Sequence, residues 1–203
     1  MTKGNISVIL AHPDLERKSF NHAIAHTAVK TLEQNGYNIF YHDLYAEKFD
    51  PVITHAEIPE NAPLEGDIAK HCAEIAQADG IIVIHPNWWG QPPAILKGWI
   101  DRVLRVGVAY RFLDGDKGEG VPVGLLKAKN AIIFNTCNTP QKREMELFGD
   151  PLETIWNNCI LQFCGIPNVY RCMFGIIIIS SAEQRKKWLL EAEETINKTF
   201  PAY

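Results

Sequence analysis

Short apolar runs alternate with helical patterns from one end of this chain to the other, and no feature constrains its fold more tightly. Ile6 to Ala11 reads as a buried strand. Ser19 then opens a helix with Phe20, Ala23, Ile24, Thr27, Ala28, Thr31 and Leu32 on one face, the three-to-four-residue recurrence of an α-helix. Asn35-Gly36 supplies the stop, since these residues tolerate the left-handed turn that ends a helix. Tyr37 to Leu44 reads as a second strand, Gly66 to Ala78 as a helix and Gly80 to His85 as a strand. The next helix, Ala94 to Arg105, presents Ile95, Leu96, Trp99, Ile100, Val103 and Leu104 after Pro93 at its start. Ala131 to Thr136 is a fourth strand. Asp150 reads as the cap of a helix with Pro151 at its first position and Glu153 three residues after the cap. Its inner face is Leu152, Ile155, Trp156, Cys159, Ile160 and Phe163, closed by Gly165. Val169 to Ile179 contains the fifth strand, and Ser180 or Ser181 caps a last helix carrying Trp188, Leu189, Ala192 and Ile196. Strands that are apolar almost throughout are buried on both faces, as in parallel sheets. Right-handed crossovers then place helices on both sides. The expected fold is α/β: a three-layer sandwich with a five-stranded parallel sheet, in one domain over residues 1–203.

Composition removes several classes of function. The net charge is −4 and no basic stripe occurs, which speaks against nucleic acid as a partner. The longest apolar run, Phe174 to Ile179, is too short to span a bilayer, so no transmembrane segment is expected. The first residues lack the basic and apolar regions of a signal peptide. Five cysteines (Cys72, Cys137, Cys159, Cys164 and Cys172) form no C-x-x-C pair and read as reduced thiols of a cytoplasmic protein. Cys159 and Cys164 share one helical pattern and read as small buried hydrophobes. No Cys/His cluster has ligand spacing, so no metal site is expected. Residues 46–64, with Pro51, Pro59 and Pro63, read as a long surface connection, a kind of loop that is often functional. Asp114 to Gly120 resembles a calcium loop superficially. Its twelfth position is Leu125 where such a loop needs an acid, and it reads as a flexible, solvated loop.

Three strand ends could carry chemistry. After the first strand, His12, Ser19 and Asn21, with Arg17 and Lys18 nearby, lead into a helix N-terminus, whose free N–H groups and dipole favour an anion. Ser19 as a simple helix cap is an equal reading of the same residues. Neither the P-loop pattern nor G-x-G-x-x-G is present. After the third strand comes Pro86-Asn87-Trp88-Trp89-Gly90-Gln91-Pro92-Pro93, two tryptophans on a turn where open α/β sheets bind ligands. After the fourth, Asn135-Thr136-Cys137-Asn138-Thr139-Pro140 offers amides, hydroxyls and backbone groups without acids. That suits the edge of a neutral heterocycle. No G-x-S-x-G elbow and no glycosidase-like carboxylate pair stands out.

With these loops in place, the chain resembles the flavodoxin-like NAD(P)H:quinone oxidoreductases over nearly its whole length. That family includes two-electron quinone reductases and the ancillary reductases of bacterial potassium efflux systems. The resemblance rests on Ala11-His12, Ser19-Phe20-Asn21, the asparagine-containing loop after the fourth strand, Pro86 through Val103 and Phe163-Cys164-Gly165. It implies a flavodoxin-like fold and a bound flavin. His12, Ser19, Phe20 and Asn21 would be its pyrophosphate and ribityl contacts. Pro86, Asn87, Trp88, Trp89 and Gly90 would wall the isoalloxazine ring, and Asn135, Thr136, Cys137 and Asn138 would meet its pyrimidine end. Arg185 falls where the FAD-binding branch has an arginine, which tilts the cofactor towards FAD, with FMN the alternative. Tyr110 and Trp89 fall on the substrate side. The family implies NAD(P)H as donor, a quinone-like acceptor and a homodimer. The mammalian members carry a Tyr and a His after the fourth strand, whereas Gln141 to Gly149 contains neither. Lys142 or Arg143, aided by Asn138, is the expected replacement, against a reading of both cations as solvated loop charges. The competing function is a flavin-binding redox-sensing subunit of a partner such as a potassium-efflux transporter. A one-electron carrier is disfavoured by the mild net charge.

Overall fold

The apolar runs become strands β1 (Asn5–Leu10), β2 (Asn38–Asp43), β3 (Gly80–Pro86), β4 (Asn130–Thr136) and β5 (Asn168–Phe174) in the computed structural model, which describes residues 3–113, 115, 120 and 122–202. All neighbours pair in parallel, in the order β2-β1-β3-β4-β5. This is the doubly wound flavodoxin-like order, which reverses direction between β1 and β3.

The α-helices among the described residues are α1 (Phe20–Gln34), α2 (Gly66–Gln77), α3 (Ala94–Val103), α4 (Gln141–Glu146), α5, and α6 (Ala182–Thr199). Helix α5 starts as Pro151–Glu153 and winds on as a π-helix over Thr154–Leu161. One face of the sheet, with Val8, Ile82, Ile84, Ile132 and Phe134, packs against Ile24, Ala28 and Leu32 of α1 and Ala192 and Ile196 of α6. The opposite face, with Ile9, Ile81, Val83 and Ile133, packs against Ile75 of α2, Leu96 and Trp99 of α3, and Leu152 and Trp156 of α5. Every residue of β3 is buried, which is why its sequence shows no polar alternation. No helix among the described residues is long and apolar enough to cross a membrane.

Several local readings are refined or overturned. Gly36 takes φ +84° after Asn35, as its stop signal requires. Ser181, rather than Ser180, caps α6, its Oγ accepting from Gln184 N at 3.1 Å. Helix α3 ends at Val103, two residues earlier than its apolar pattern suggests. Asp150 sits before α5 but makes no side-chain cap: its φ is +46° and its carboxylate pairs with Arg171. Glu153 also turns to Arg171, with Oε2 2.7 Å from Nε. A charge-assisted bond to guanidinium is stronger than one to a neutral amide. Cys159 is exposed, not buried. The π-helical winding adds residues to each turn, so Leu161, five residues on, follows Trp156 on the inner face. Some elements have no counterpart in the sequence reading: α4, short 3-10 turns at His55–Glu57 and Ile177–Ile179, and a ladder pairing Tyr110–Arg111 with Val123–Gly124. Of the suspected flexible loop Asp114 to Gly120, all but Gly115 and Gly120 lie outside the described residues. The long connection 46–64 is tied down, with Glu57 clasped by Arg102 at 2.8 and 2.9 Å and the Pro59 carbonyl accepting from Arg105 Nη2 at 2.5 Å.

Candidate functional site

The C-terminal ends of β1, β3 and β4 meet at the point where the strand order reverses, and a cavity of about 370 Å³ opens there. Its size falls in the range of about 300–1,000 Å³ of small-molecule sites.

The β1 side supplies His12, Ser19, Phe20 and Asn21. Ser19 both lines the cavity and caps α1, its Oγ accepting from His22 N at 3.4 Å, so the two readings of this residue hold together. His12 Nδ1 accepts from Asp14 N at 3.2 Å. Burial, and then the neighbouring His22, lower its pKa below the ordinary 6.5. Both effects favour the neutral imidazole, which carries its one N–H on Nε2 because Nδ1 accepts from Asp14 N. Asn21 Nδ2 donates to Thr136 Oγ1 at 2.9 Å, tying α1 to β4, while its buried Oδ1 has no protein partner. A buried acceptor left open beside a cavity calls for a donor from a ligand or water.

The β3 side is a tight hairpin. Trp88 N donates to Gln91 O at 3.1 Å and Gln91 N returns to Trp88 O at 3.0 Å. Trp89 and Gly90 between them have φ +58° and +70°, the positive pair of a type I′ turn. Trp88 lines the cavity with Pro86 and Asn87. Trp89 stands at the apex, 101% exposed, and neither it nor Gly90 lines the cavity.

The β4 side supplies Thr136, Cys137 and Asn138. Burial raises the Cys137 pKa, and its thiol lies 3.3 Å from Thr139 O. Asn138 Oδ1 accepts from Ile178 N at 2.9 Å. Asn135 is fully buried, outside the cavity lining. Its Oδ1 accepts from Arg171 Nη1 at 2.8 Å and its Nδ2 has no protein partner. Arg185 closes the far wall, donating to Ser180 Oγ at 2.8 Å and Ile177 O at 3.1 Å.

Besides Trp89, Gly90 and Asn135, the nominated residues Tyr110 and Arg143 also lie outside the cavity lining. Tyr110 packs edge-on against Phe163 at 4.9 Å and Phe112 at 5.9 Å, away from the lining. Arg143 is exposed on α4, as is Lys142, which faces Glu146 at 3.9 Å. The same short helix carries a residue that sequence reasoning missed. Glu144 is 2% exposed, with Oε1 2.7 Å from Asn87 Nδ2. Nothing in Gln141 to Glu146 marks it out from its charged neighbours.

The fold also assembles His/carboxylate groups that linear spacing conceals: His12, Asp14 and His22, and His42, Glu47 and His71. In the second group Trp99 Nε1 donates to His71 Nδ1 at 3.0 Å. A tryptophan N–H can only donate, so His71 carries its proton on Nε2, 3.4 Å from Glu47 Oε2. That proton occupies the nitrogen a metal would need. Burial opposes the charge of Glu47, but hydrogen bonds from His42 and His71 outweigh it and pull the pKa down to about 2. The cluster holds protons and carboxylate charge.

A parallel sheet of this order, with its cleft at the switch point, defines a doubly wound ligand-binding protein of the flavodoxin type. Residues 4–198 match the family described as having the flavodoxin-like fold, and the chain belongs to it. Over 198 residues, 94% of each chain, it is 37% identical to an uncharacterized NAD(P)H oxidoreductase of Haemophilus influenzae. It is also 37% identical over 182 residues to NAD(P)H dehydrogenase (quinone) 1 of Cavia porcellus, covering 78% of this chain and 63% of that longer one. An FMN-dependent NADH-azoreductase of Bacillus anthracis, solved in complex with FMN, shares the fold with a TM-score of 0.71 at 16% identity, over 96% of this chain and 98% of that one.

Proposed function

We propose that this chain is a flavin-dependent oxidoreductase that passes hydride from NAD(P)H to a quinone or similar planar acceptor. One observation carries the reading: a single cavity joins an anion-favouring helix N-terminus, an aromatic wall and a polar edge without an acid pair. Those are the needs of a phosphate, a flat ring system and a heterocycle rim. The names of the Haemophilus and Cavia relatives support the oxidoreductase class and the quinone acceptor.

A bound flavin would supply the hydride-accepting and electron-donating chemistry, leaving the protein to bind, orient and tune. His12 Nε2–H, Ser19 and the first N–H groups of α1 would hold the phosphate, and the open Asn21 Oδ1 would accept from a ribityl hydroxyl. Pro86, Asn87 and Trp88 would flank the ring. Thr136, Cys137 and Asn138 would face its polar edge, where Asn138 would answer the negative charge that hydride addition brings; Arg143, exposed on α4 outside the cavity lining, would add only a longer-range positive charge. Asn135 supports that edge from beneath. Trp89, exposed at the apex, is available to nicotinamide or acceptor, while Tyr110 would contribute to an acceptor pocket completed by a second copy of the chain. Exposed Trp89, Met145, Leu147 and Phe148 support a homodimer. Free cysteines at all five positions agree with a reducing, cytoplasmic setting. The FMN-bound azoreductase supports a flavin mononucleotide core, and Arg185 is the argument for the larger FAD.

The test is an absorbance titration with FMN and FAD, followed by anaerobic addition of NADPH and NADH. Bleaching of the bound flavin within seconds is expected. A chain that takes up neither flavin overturns the reading.

A further inference from the structure

We propose that Glu144 is a positioning residue of this site: its buried carboxylate sets the Asn87 amide and, through it, the turn that carries Trp88 and Trp89. The site's assignment to a flavin is the reading on which the functional part of this inference rests.

Both ends of the Asn87 amide and its backbone N–H are committed. Its Nδ2 donates to Glu144 Oε1 at 2.7 Å, its Oδ1 accepts from Gly90 N at 3.0 Å, and its backbone N donates to Thr136 O at 2.6 Å. A carboxylate accepts and does not donate, so it dictates which end of the amide faces it. Were the amide reversed, an oxygen would meet the carboxylate and an NH2 group would meet the Gly90 N–H. Glu144 thus decides that the Asn87 oxygen points into the turn.

The turn needs such a fixture. Type I′ turns favour asparagine and glycine because both central residues have positive φ, and a bulky residue in that region is a backbone outlier. Here Trp89 occupies the first central position at φ +58°. Strained backbone of this kind persists where its surroundings over-determine it. The Gly90 N–H caught by Asn87 and the two Trp88–Gln91 bonds provide that determination. Glu144 is itself held, its N donating to Pro140 O at 3.1 Å and its carbonyl accepting from Asp150 N at 2.9 Å. It does not line the cavity and acts through Asn87. Its charge nonetheless reaches the cavity wall: after burial, Glu144 contributes to raising the Cys137 pKa, against a hydrogen bond to Thr139 that lowers it.

The test uses Glu144→Gln, Glu144→Ala, Asn87→Asp and the double variant Asn87→Asp/Glu144→Gln, read first by amide hydrogen exchange of the flavin-free protein. Glutamine keeps an acceptor oxygen for Asn87, so E144Q is expected to leave Gly90 exchange close to wild type. E144A is expected to speed it about tenfold, the scale of one buried hydrogen bond. In N87D two acids face each other, and exchange rises. Adding E144Q turns an amide towards the new acid, and the double variant is expected to regain wild-type protection. With FMN and NADH, KM for a benzoquinone acceptor should follow the exchange order while kcat changes less.

Unchanged Gly90 exchange in folded E144A, or no rescue of N87D by E144Q, overturns the proposal. Should E144A not fold, the N87D pair still decides. Rescued exchange with an unmoved KM overturns the functional part. If the wild-type protein takes up no flavin, the flavin reading falls, while the exchange data still decide whether Glu144 sets the turn.

Discussion

Trp89 combines two costs that a purely structural residue would not carry, a left-handed backbone and a fully exposed indole. Asparagine tolerates that backbone region, and Asn-Gly is the preferred pair for a type I′ turn. Trp89→Asn should therefore raise stability by about 1 kcal/mol, seen as a higher urea midpoint, while raising KM for the acceptor. A stability gain with unchanged KM would remove Trp89 from acceptor binding. His85 lies beneath the same loop. Burial lowers its pKa to about 4, opposed by its bond to the Pro86 carbonyl, and its Nε2 accepts from Trp156 Nε1 at 2.9 Å. The folded pKa lies below the unfolded value near 6.5, so the unfolded chain takes up the proton first. Stability contributed by neutral His85 is complete above about pH 6.5 and falls towards pH 4 by about 3 kcal/mol. His85→Gln should flatten that slope in pH-dependent unfolding. Glu47, with its pKa near 2, contributes stability lost lower, as pH falls from about 4.5 towards 2. Strand parity decides which polar strand-end residues were legible. Ile132, Phe134 and Thr136 face α1 and α6, and Thr136 meets Asn21. Ala131, Ile133 and Asn135 face the other layer, and Asn135 meets Arg171. Sequence shows the alternation but not which face holds the cavity, so Asn135 was grouped with its neighbours.

At the scale of elements, apolar periodicity carried the strands and most helices because each buries one stripe or two faces in a single core layer. It failed at α5, where π-helical winding changes the period and sends Cys159 outward. It also failed at α4, six mostly exposed residues whose only buried side chain is an acid. Helix α3 shows how element contacts override propensity. Gly98 lies in its interior, where alanine ordinarily stabilises by about 1 kcal/mol. A Cβ there would sit 2.2 Å from Pro51 O and 2.5 Å from its Cα. Backbone on the 46–64 connection cannot swing aside as a side chain can. Gly98→Ala is expected to destabilise by about 1–3 kcal/mol, measured as a lower urea midpoint at constant m-value. An unchanged or higher midpoint would mean that the connection yields freely.

At the scale of the whole molecule, the site exists because three segments far apart in sequence end side by side. Residues 11–21, 86–93 and 135–138 become neighbours through the order β2-β1-β3-β4-β5, with the reversal between β1 and β3 leaving the crevice. The alternating pattern made a parallel, doubly wound sheet inferable but not its strand order, which only the family resemblance implied, and the fourth wall, Ile177 and Arg185, depends on how the chain returns after β5. On the proposed reading, that wall is where the two candidate flavins would differ. Any ligand that binds the folded chain alone stabilises it by mass action, by about 2.7 kcal/mol at a hundredfold excess over Kd. For a chain of this length that corresponds to a Tm increase of roughly 5–10 °C. FMN is expected to produce such a shift, since on the proposed reading the helix N-terminus, Trp88 and the β4 edge would all serve the part common to both cofactors. If FAD extends past Arg185, Arg185→Ala should cut the FAD shift and spare the FMN shift. An equal loss for both would mean that Arg185 acts only by holding Ser180 and Ile177 in place. An equal, undiminished shift for both would leave the adenosine half without a site on this wall and make FMN the cofactor the fold selects.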